Sequence, residues 1–254
     1  MTPLSVVVIT FNESENIARC LESVRPIADE MIVLDSGSED DTVAIAEKYG
    51  ATVRVHPFEG YVEQKNLALD CSTHPFVLSL DADEALDGKL VQEIQKVKEN
   101  TTHRAYRINR CTNYCGTFIR HGSWYPDAKV WLFDKRIARW GGMNPHAEVR
   151  VDEGVSIGSL KGDILHYSYQ TLEEHVQQNN HYSTVAAQQY FNKGNRSGIF
   201  KLLFSPVWAF FHSFVIRAGF LDGFLGFVIA RNIAHMTFMK YYKLRALYLG
   251  IKIR

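Results

Sequence analysis

A short apolar strand that runs directly into acidic residues is the strongest constraint on the fold of this chain. Residues 76–80, Phe-Val-Leu-Ser-Leu, are followed at once by Asp81-Ala82-Asp83-Glu84. An apolar run of this length is typical of a strand buried on both faces of a parallel sheet. Ligands of open α/β sheets bind beyond the carboxyl ends of such strands. Asp81 and Asp83 are therefore placed to hold a divalent cation and, through it, a diphosphate. The alternative is a solvated acidic turn.

Strand and helix patterns alternate through the first hundred residues. Apolar runs predict strands at residues 4–9, 31–34, 52–55 and 76–80. Helices are predicted at residues 12–24, 41–49, 63–69 and 88–99. Alternating β and α units imply parallel strands joined by right-handed crossovers. We expect a doubly wound, Rossmann-like α/β domain, although the sequence contains neither a Gly-x-Gly-x-x-Gly motif nor a P-loop.

Polar side chains follow the predicted strands at the point where each one ends. They are Thr10, Asn12 and Glu13 after the first, Asp35 and Ser36 after the second, and Asp81 and Asp83 after the fourth. Because these ends share one edge of a parallel sheet, the side chains are expected to form one site. Asp35 can accept hydrogen bonds from a uracil or ribose, or it holds the turn that follows it. Lys65 is placed to reach a phosphate, or it is a surface lysine.

Three of these segments together resemble a known family. They are Thr10-Phe11-Asn12-Glu13, Asp35-Ser36-Gly37-Ser38 with Asp41-Thr42, and Asp81-Ala82-Asp83. As a set they resemble the GT-A fold of family 2 inverting glycosyltransferases. The resemblance implies a nucleotide-sugar donor, usually UDP-linked, and Mg²⁺ or Mn²⁺ that bridges its diphosphate to the Asp-x-Asp motif. By position it implies nucleoside contacts from Thr10, Glu13 and Asp35. It also implies a ribose or metal contact from Asp81, and Asp83 as the main metal ligand.

The acceptor side is expected between residues 101 and 168, where two carboxylates are candidate bases. An inverting transferase needs a base that removes the proton of the acceptor hydroxyl. In the segment Asn-Pro-His-Ala-Glu, His146 and Glu148 lie on one side if the chain is extended. We prefer Glu148 as the base, with His146 as a third metal or diphosphate ligand, or otherwise as a hydrogen-bonded core histidine. Asp127 is the rival base.

The aromatic segment around Asp127 carries a second resemblance. Residues 124–133 are similar to the acceptor-side segment of small family 2 enzymes that build the lipopolysaccharide core. Four aromatic side chains of this region are expected to stack on sugars or to pack in the core: Trp124, Tyr125, Trp131 and Trp140. The segment Arg136-x-x-Arg139-Trp140 lacks the Gln of processive synthases, which argues against polymer synthesis.

The charges are distributed unevenly. The chain has 28 basic and 28 acidic side chains, so it carries no nucleic-acid signature. From Ile199 to Arg254 there are eight Lys or Arg and one acid, Asp222, which gives this tail a charge of +7 and the remainder −7. The four cysteines form no zinc spacing and are expected to be free thiols. The N-terminus lacks the pattern of a secretory signal.

The C-terminal third is expected to be helical and to associate with a membrane. Thr171 opens a helix that is predicted to end at Gly194. The apolar runs at residues 202–216 and 223–230 are shorter than the roughly 20 residues that cross a bilayer. Aromatic helices flanked by Lys and Arg favour an in-plane attachment to anionic lipids. Residues 219–223 also resemble a segment of the lipopolysaccharide-core enzymes. A helical subdomain or dimer interface is the alternative.

The sequence therefore predicts a GT-A domain at residues 1–168 and a membrane-associating helical region at residues 169–254. Within the first, residues 1–100 are the nucleotide-sugar half. The resemblance implies an inverting, metal-dependent transferase that moves glucose from UDP-glucose to an inner-core heptose at the cytoplasmic face of the inner membrane. The alternatives are a polyprenyl-phosphate or other glycolipid acceptor, and a catalytically degenerate membrane-bound scaffold. The oligomeric state stays open.

Overall fold

The computed structural model describes residues 1–143 and 146–253, and these form two compact units. The first unit contains Met1–Cys111 and Asp127–Tyr167, and the second contains Thr112–Pro126 and Ser168–Arg254. The predicted boundary after residue 168 lies next to the observed division. Residues 112–126, however, group with the C-terminal helices and not with the predicted acceptor side.

A mixed sheet forms the centre of the first unit. The strands of the described chain are β1 (Leu4–Thr10), β2 (Glu30–Asp35), β3 (Thr52–Val55), β4 (Phe76–Asp81), β5 (Glu84–Leu86), β6 (Ala105–Tyr114), β7 (Thr117–Phe118), β8 (Asp127–Asp134), β9 (Ala138–Met143), β10 (His146–Val151) and β11 (Ile157–Tyr169). The main sheet has the order β3-β2-β1-β4-β8-β6-β11-β5, with β7 paired to β6. Strands β9 and β10 form a separate antiparallel hairpin.

The four strands predicted from the first hundred residues form the parallel half of this sheet. Strand β1 pairs in parallel with β2 and β4, and β2 pairs in parallel with β3. All seven residues of β1 are buried, as expected for a strand covered on both faces. Strands β8 and β6 then add antiparallel neighbours beyond β4. The predicted parallel core is confirmed, whereas the antiparallel strands beyond β4 were not predicted from the sequence.

The helices follow the predicted alternation with shifted ends. They are α1 (Ile17–Val24), α2 (Thr42–Lys48), α3 (Tyr61–Cys71), α4 (Gly88–Glu99), α5 (Leu172–Asn192), α6 (Ile199–Phe211) and α7 (Gly223–Tyr248). Helix α1 begins five residues later than predicted. The reason is that Asn12 has a positive φ of 53° and its amide and side chain bond to Ser38 and Glu39, which removes it from the helix. The capping box of Thr171 and Glu174 is present at the start of α5.

In the second unit, α6 continues without a break into a π-helical turn at His212–Ile216. The run Ile199–Ile216 has 18 residues and a mean hydropathy of 1.6. Within the described residues it is the one helix whose length and composition would allow it to cross a membrane, which is weak evidence by itself. The apolar run predicted from the sequence was shorter because it was counted from the residue after Lys201, whereas the helix begins before Lys201.

Candidate active site

Strands β1, β2 and β4 end side by side. In the sheet register Thr10 lies opposite Asp35, and Ile9 lies opposite Asp81. The structure therefore brings the ends of the three predicted strands to one edge of the parallel sheet, which is where ligands of such sheets bind. Asp81 is the last residue of β4, and Glu84 begins β5 three residues after it, so the acidic segment forms a tight turn at this edge.

Asp81 is paired with the lysine that the sequence placed near a phosphate. The ammonium of Lys65, on helix α3, donates to Oδ1 of Asp81. Lys65 is 4% exposed, and its Nζ lies 4.5 Å from the ring centroid of Trp140. A buried ammonium is stabilised by a paired carboxylate and by an aromatic face. Lys65 is thus a fixed internal cation and not a surface lysine.

Asp83 meets a histidine that sequence reasoning missed. Nε2 of His166 lies 3.0 Å from Oδ2 of Asp83. His166 lies on β11, where it is paired in register with Glu84 of β5. Burial disfavours the imidazolium, but the hydrogen bond and charge of Asp83 outweigh burial and raise the pKa of His166. For Asp83, burial is likewise outweighed by His166, and its pKa is lowered.

Glu84 lies beneath the turn and shapes it. Glu84 is 1% exposed, and its Oε2 accepts a hydrogen bond from the backbone N–H of Asp81 at 2.9 Å. Burial, followed by the charge of Asp81, raises the pKa of Glu84 to about 7. By accepting this N–H, the Glu84 carboxyl group stabilises the backbone of the turn.

Arg110 connects this turn to one of the two candidate bases. Its Nη1 lies 3.7 Å from Oε1 of Glu84, and its Nη2 lies 3.0 Å from Oδ2 of Asp127. Lys129 Nζ lies 3.1 Å from the same oxygen of Asp127. Asp127 is therefore joined to the strand-end carboxylates through Arg110, and two cations hold its carboxylate in place.

Glu13 belongs to the same group of charges. Its Oε2 accepts a hydrogen bond from Nδ2 of Asn16 at 2.7 Å, and its backbone N–H donates to Thr42. Burial raises the pKa of Glu13, the bond from Asn16 opposes this, and the charges of Asp83 and nearby acids add to the rise. The charges of the Asp-x-Asp turn thus affect the pKa of Glu13, as expected for a residue at the shared edge.

Asp35 and Ser36 have structural partners in this structure. Oδ2 of Asp35 accepts the N–H groups of Gly37 and Ser38, both at 2.8 Å, and Oδ1 accepts the Ser38 hydroxyl. The Ser36 hydroxyl accepts from Gln64 at 3.0 Å. Asp35 is 1% exposed, so of its two predicted roles the turn-holding one is the one that the geometry displays.

The second candidate base lies on the hairpin. The backbone of residues 146–151 is extended, as predicted, and forms strand β10. Glu148 is exposed, and its Oε1 lies 4.0 Å from Nε of Arg150. The side chain of His146, predicted as a third metal or diphosphate ligand, lies outside the described residues. No described contact joins Glu148 to the turn at Asp83.

Two tryptophans predicted as possible sugar-stacking residues are core residues. Trp131 is 3% exposed and Trp140 is 7% exposed, and their ring centroids lie 6.1 Å apart. The indole of Trp140 donates to Ser79 at 3.2 Å. Their function is to surround Lys65 and to pack the sheet, which corrects the sugar-stacking alternative for this pair.

The donor set suits a hard divalent cation that also binds a diphosphate. Four carboxyl groups, those of Glu13, Asp81, Asp83 and Glu84, influence one another at this edge. Carboxylate oxygens are the ligands that Mg²⁺ and Mn²⁺ prefer in proteins. Within residues 1–143 and 146–253, no three His, Cys, Asp or Glu side chains form a complete metal site. Asp83 and His166 are in contact at this edge, and they are the side chains that would hold such an ion, with the remaining ligands supplied by the diphosphate and water.

Sequence reasoning missed two residues of this site, His166 and Arg110. It also missed the burial of Glu84. His166 is 83 positions from Asp83 along the chain and reaches it only because β11 pairs with β5. An isolated histidine in a strand pattern gives no signal of that pairing. Glu84 was visible as the third acid of the segment, and its burial was not.

A parallel sheet with acidic residues at the ends of its strands is typical of α/β enzymes that bind their ligand at that edge. The sequence model of Glycosyl transferase family 2 matches residues 5–149. "Uncharacterized glycosyltransferase RP128" of Rickettsia prowazekii (strain Madrid E) is 35% identical over 97% of this chain and 88% of its own length. The chain belongs to glycosyltransferase family 2, and the predicted enzyme class and GT-A assignment are confirmed.

A further relative has a more specific name. "Lipopolysaccharide core biosynthesis glycosyltransferase LpsC" of Rhizobium meliloti (strain 1021) is 29% identical over 96% of this chain and 94% of its own length.

Among solved structures, TarS 1-349 of S. aureus in complex with UDP-GlcNAc aligns with a TM-score of 0.49 and 15% identity, over 100% of this chain and 93% of that one. Glucosyl-3-phosphoglycerate synthase of Mycobacterium tuberculosis, in complex with Mn²⁺, UDP and glucosyl-3-phosphoglycerate, aligns with a TM-score of 0.47 and 18% identity, over 78% and 82%.

Proposed function

We propose that this glycosyltransferase moves a hexose from a UDP-linked donor to the inner core of a lipopolysaccharide, with inversion at the anomeric carbon. Glucose from UDP-glucose and a heptose acceptor are the specific donor and acceptor proposed. The observation that carries the donor side is the pair of Asp83 and His166 at the sheet edge, surrounded by an excess of carboxyl groups. The similarity to the LpsC protein along nearly the whole chain supports the acceptor class.

The residues of the edge divide the work of donor binding. Asp83 and His166 would hold Mg²⁺ or Mn²⁺, which when bound neutralises the charge of the departing nucleoside diphosphate. Thr10, Asn12 and Glu13 lie at the end of β1, where a nucleoside would reach the sheet. Because Lys65 already neutralises Asp81, we assign to Asp81 a contact with the ribose.

Proton removal from the acceptor hydroxyl falls to Glu148 or Asp127. Among the contacts of the described residues, the exposed Glu148 carboxylate has one charged neighbour, Arg150 at 4.0 Å, so it is accessible to an acceptor. Asp127 has the more direct connection to the Asp-x-Asp turn, through Arg110. The Asp127 carboxylate is already engaged by two cations, Arg110 at 3.0 Å and Lys129 at 3.1 Å. Glu148 therefore remains the preferred base, and Asp127 the alternative.

The test is transfer by the purified full-length chain. We expect UDP release from UDP-glucose in the presence of Mn²⁺ and a core lipid that ends in heptose, with the acceptor gaining one hexose by mass spectrometry. The Asp83→Ala variant is the matched negative control. Transfer to a polyprenyl phosphate instead would replace the acceptor proposal. Absence of UDP release with every UDP-sugar and acceptor would favour the degenerate scaffold.

A further inference from the structure

The most exposed face of helix α6 is also its most apolar face. Six side chains at helical spacing form this face, each between 45% and 75% exposed: Phe200, Leu203, Phe204, Val207, Trp208 and Phe211. We call them the α6 apolar face. A helix at the surface of a water-soluble unit normally turns such a stripe inward. Exposed apolar patches of this kind mark surfaces that contact another apolar phase or protein.

The C-terminal end of the same helical run is attached to the rest of the second unit by polar contacts. Ser205 is half-buried and Ser213 is 1% exposed. The Ser213 hydroxyl accepts the backbone N–H of Ser123 at 3.2 Å, and the carbonyl of Arg217 accepts the N–H of Gly122 at 2.8 Å. The helical run is thus fixed at its C-terminal end by polar contacts that lipid could not replace.

Exposed apolar residues continue into the segment that follows α6. Phe220, Leu221 and Phe224 are 50%, 60% and 73% exposed. Phe227, early in α7, contacts the ring of Phe210 in α6, with centroids 5.9 Å apart. The start of α7 therefore packs beside α6, and both elements carry apolar side chains to the surface.

The charges around this surface favour an anionic partner. Residues 199–254 contain eight Lys or Arg and a single acid, Asp222. That acid is used internally, because its carboxylate accepts the backbone N–H of His121 at 2.8 Å and lies 2.9 Å from Nδ1 of the same residue. Lys201 and Arg217 flank the uncharged run between them. An apolar face bordered by cations and without free carboxylates matches the interface of an anionic bilayer.

We propose that the α6 apolar face inserts, parallel to the membrane plane, into one leaflet of an anionic bilayer. In-plane insertion places only the α6 apolar face among acyl chains and keeps Ser213 and its partners out of the lipid. A spanning helix would expose Ser213 and its partners to lipid. Lys201 and Arg217 then lie at the level of the phosphate groups. This proposal concerns the membrane partner and is independent of the donor and acceptor proposed above.

The test is flotation of the full-length chain with vesicles of phosphatidylcholine, with or without phosphatidylglycerol. We expect binding to the anionic vesicles and a loss of at least about tenfold in the Leu203→Ser/Trp208→Ser variant, since two large apolar side chains leave the interface. The matched control is Tyr242→Ser/Leu249→Ser, which removes an exposed aromatic and an exposed leucine from the end of α7 and its C-cap. Circular dichroism confirms that both variants are folded.

Insertion depth distinguishes the in-plane from the spanning arrangement. The fluorescence of Trp208 is the difference between the wild type and Trp208→Ser. We expect lipids brominated near the headgroup to quench this fluorescence more strongly than lipids brominated near the chain end. Stronger quenching from the chain end would overturn the in-plane arrangement. Equal flotation of wild type and Leu203→Ser/Trp208→Ser would overturn the role of this face. A wild-type dimer that this variant converts to monomer, without vesicle binding, would identify a second copy as the occupant.

Discussion

At the scale of single residues, the acidic turn is held by counter-charges that come from three different elements. Lys65 of α3 pairs with Asp81, His166 of β11 pairs with Asp83, and Arg110 of β6 lies beside Glu84. A buried charge is tolerated only when it is paired or hydrogen-bonded. Each acid in the turn therefore contacts a different counter-charge.

Asp83→Ala is expected to abolish metal-dependent binding of UDP, because it removes the carboxylate that faces His166. His166→Asn is expected to weaken the same binding by about 10- to 100-fold, the usual effect of losing a residue that ligates or orients at a metal site. Titration calorimetry with UDP, with and without Mn²⁺, measures both. Asp70→Ala is the control, since Asp70 is an exposed acid paired only to Arg139 in the described contacts. Unchanged UDP affinity in Asp83→Ala would remove the metal assignment.

Glu148→Gln is expected to keep donor binding and to lose transfer by a factor of about 10² to 10⁴, the usual contribution of a general base. The comparison is Asp127→Asn, which keeps the size of the side chain and weakens its pairing with Arg110 and Lys129. Rates of transfer and UDP affinities are measured for both variants. Full activity of Glu148→Gln together with an inactive Asp127→Asn would assign the base to Asp127.

The sequence predicted the parts of this site that follow from local pattern. The ends of β1, β2 and β4 meet because apolar runs define each strand and parallel strands end at one edge. The pairing of His166 with Asp83 was not predictable, because it depends on which strand lies next to β5. Arg110 reaches Asp127 through the antiparallel register of β6 and β8, which includes an irregularity at Tyr106 and Arg107. Single-sequence periodicity contains no information on either register.

At the scale of elements, the start of α5 is fixed to the second unit by an aromatic cluster around His175. The hydroxyl of Tyr114 lies 2.8 Å from Nδ1 of His175, and Nδ2 of Asn232 lies 3.2 Å from the same atom. Trp124 stacks on Tyr169 beside them, with centroids 5.4 Å apart. Burial lowers the pKa of His175 to about 4, so the neutral imidazole is the form that this packing stabilises.

His175 is expected to make the second unit less stable as the pH falls below about 6.5. In that range the unfolded chain binds a proton that the folded chain excludes, so the free energy of unfolding decreases until the pH reaches about 4. The loss between pH 7.5 and pH 5 is about 2 kcal/mol. Urea unfolding at the two pH values measures it. The expected difference shrinks in His175→Gln and persists in His181→Gln, an exposed histidine of the same helix. Equal pH dependence in both variants would contradict the assignment.

At the scale of the whole molecule, opposite charges are segregated along the chain. The last 56 residues carry +7, whereas the preceding 198 carry −7. Charges that are mixed cancel beyond a Debye length of about 8 Å at physiological ionic strength, whereas segregated charges give each region its own field. The C-terminal region is therefore the part of the chain that an anionic surface attracts, and the acidic remainder is repelled.

This segregation predicts that neutralising basic residues weakens vesicle binding only when they belong to the C-terminal region. Lys201→Gln/Arg231→Gln removes two exposed cations there and is expected to lose about 2 kcal/mol of binding to anionic vesicles, since each basic residue near the surface contributes about 1 kcal/mol. Arg25→Gln/Lys48→Gln removes two exposed cations from the first unit and is expected to bind as the wild type does. Flotation at low and high salt measures both, and the difference between the variants is expected to vanish at high salt because the charges are screened. Equal losses in the two variants would mean that net charge, and not its location, controls the attachment.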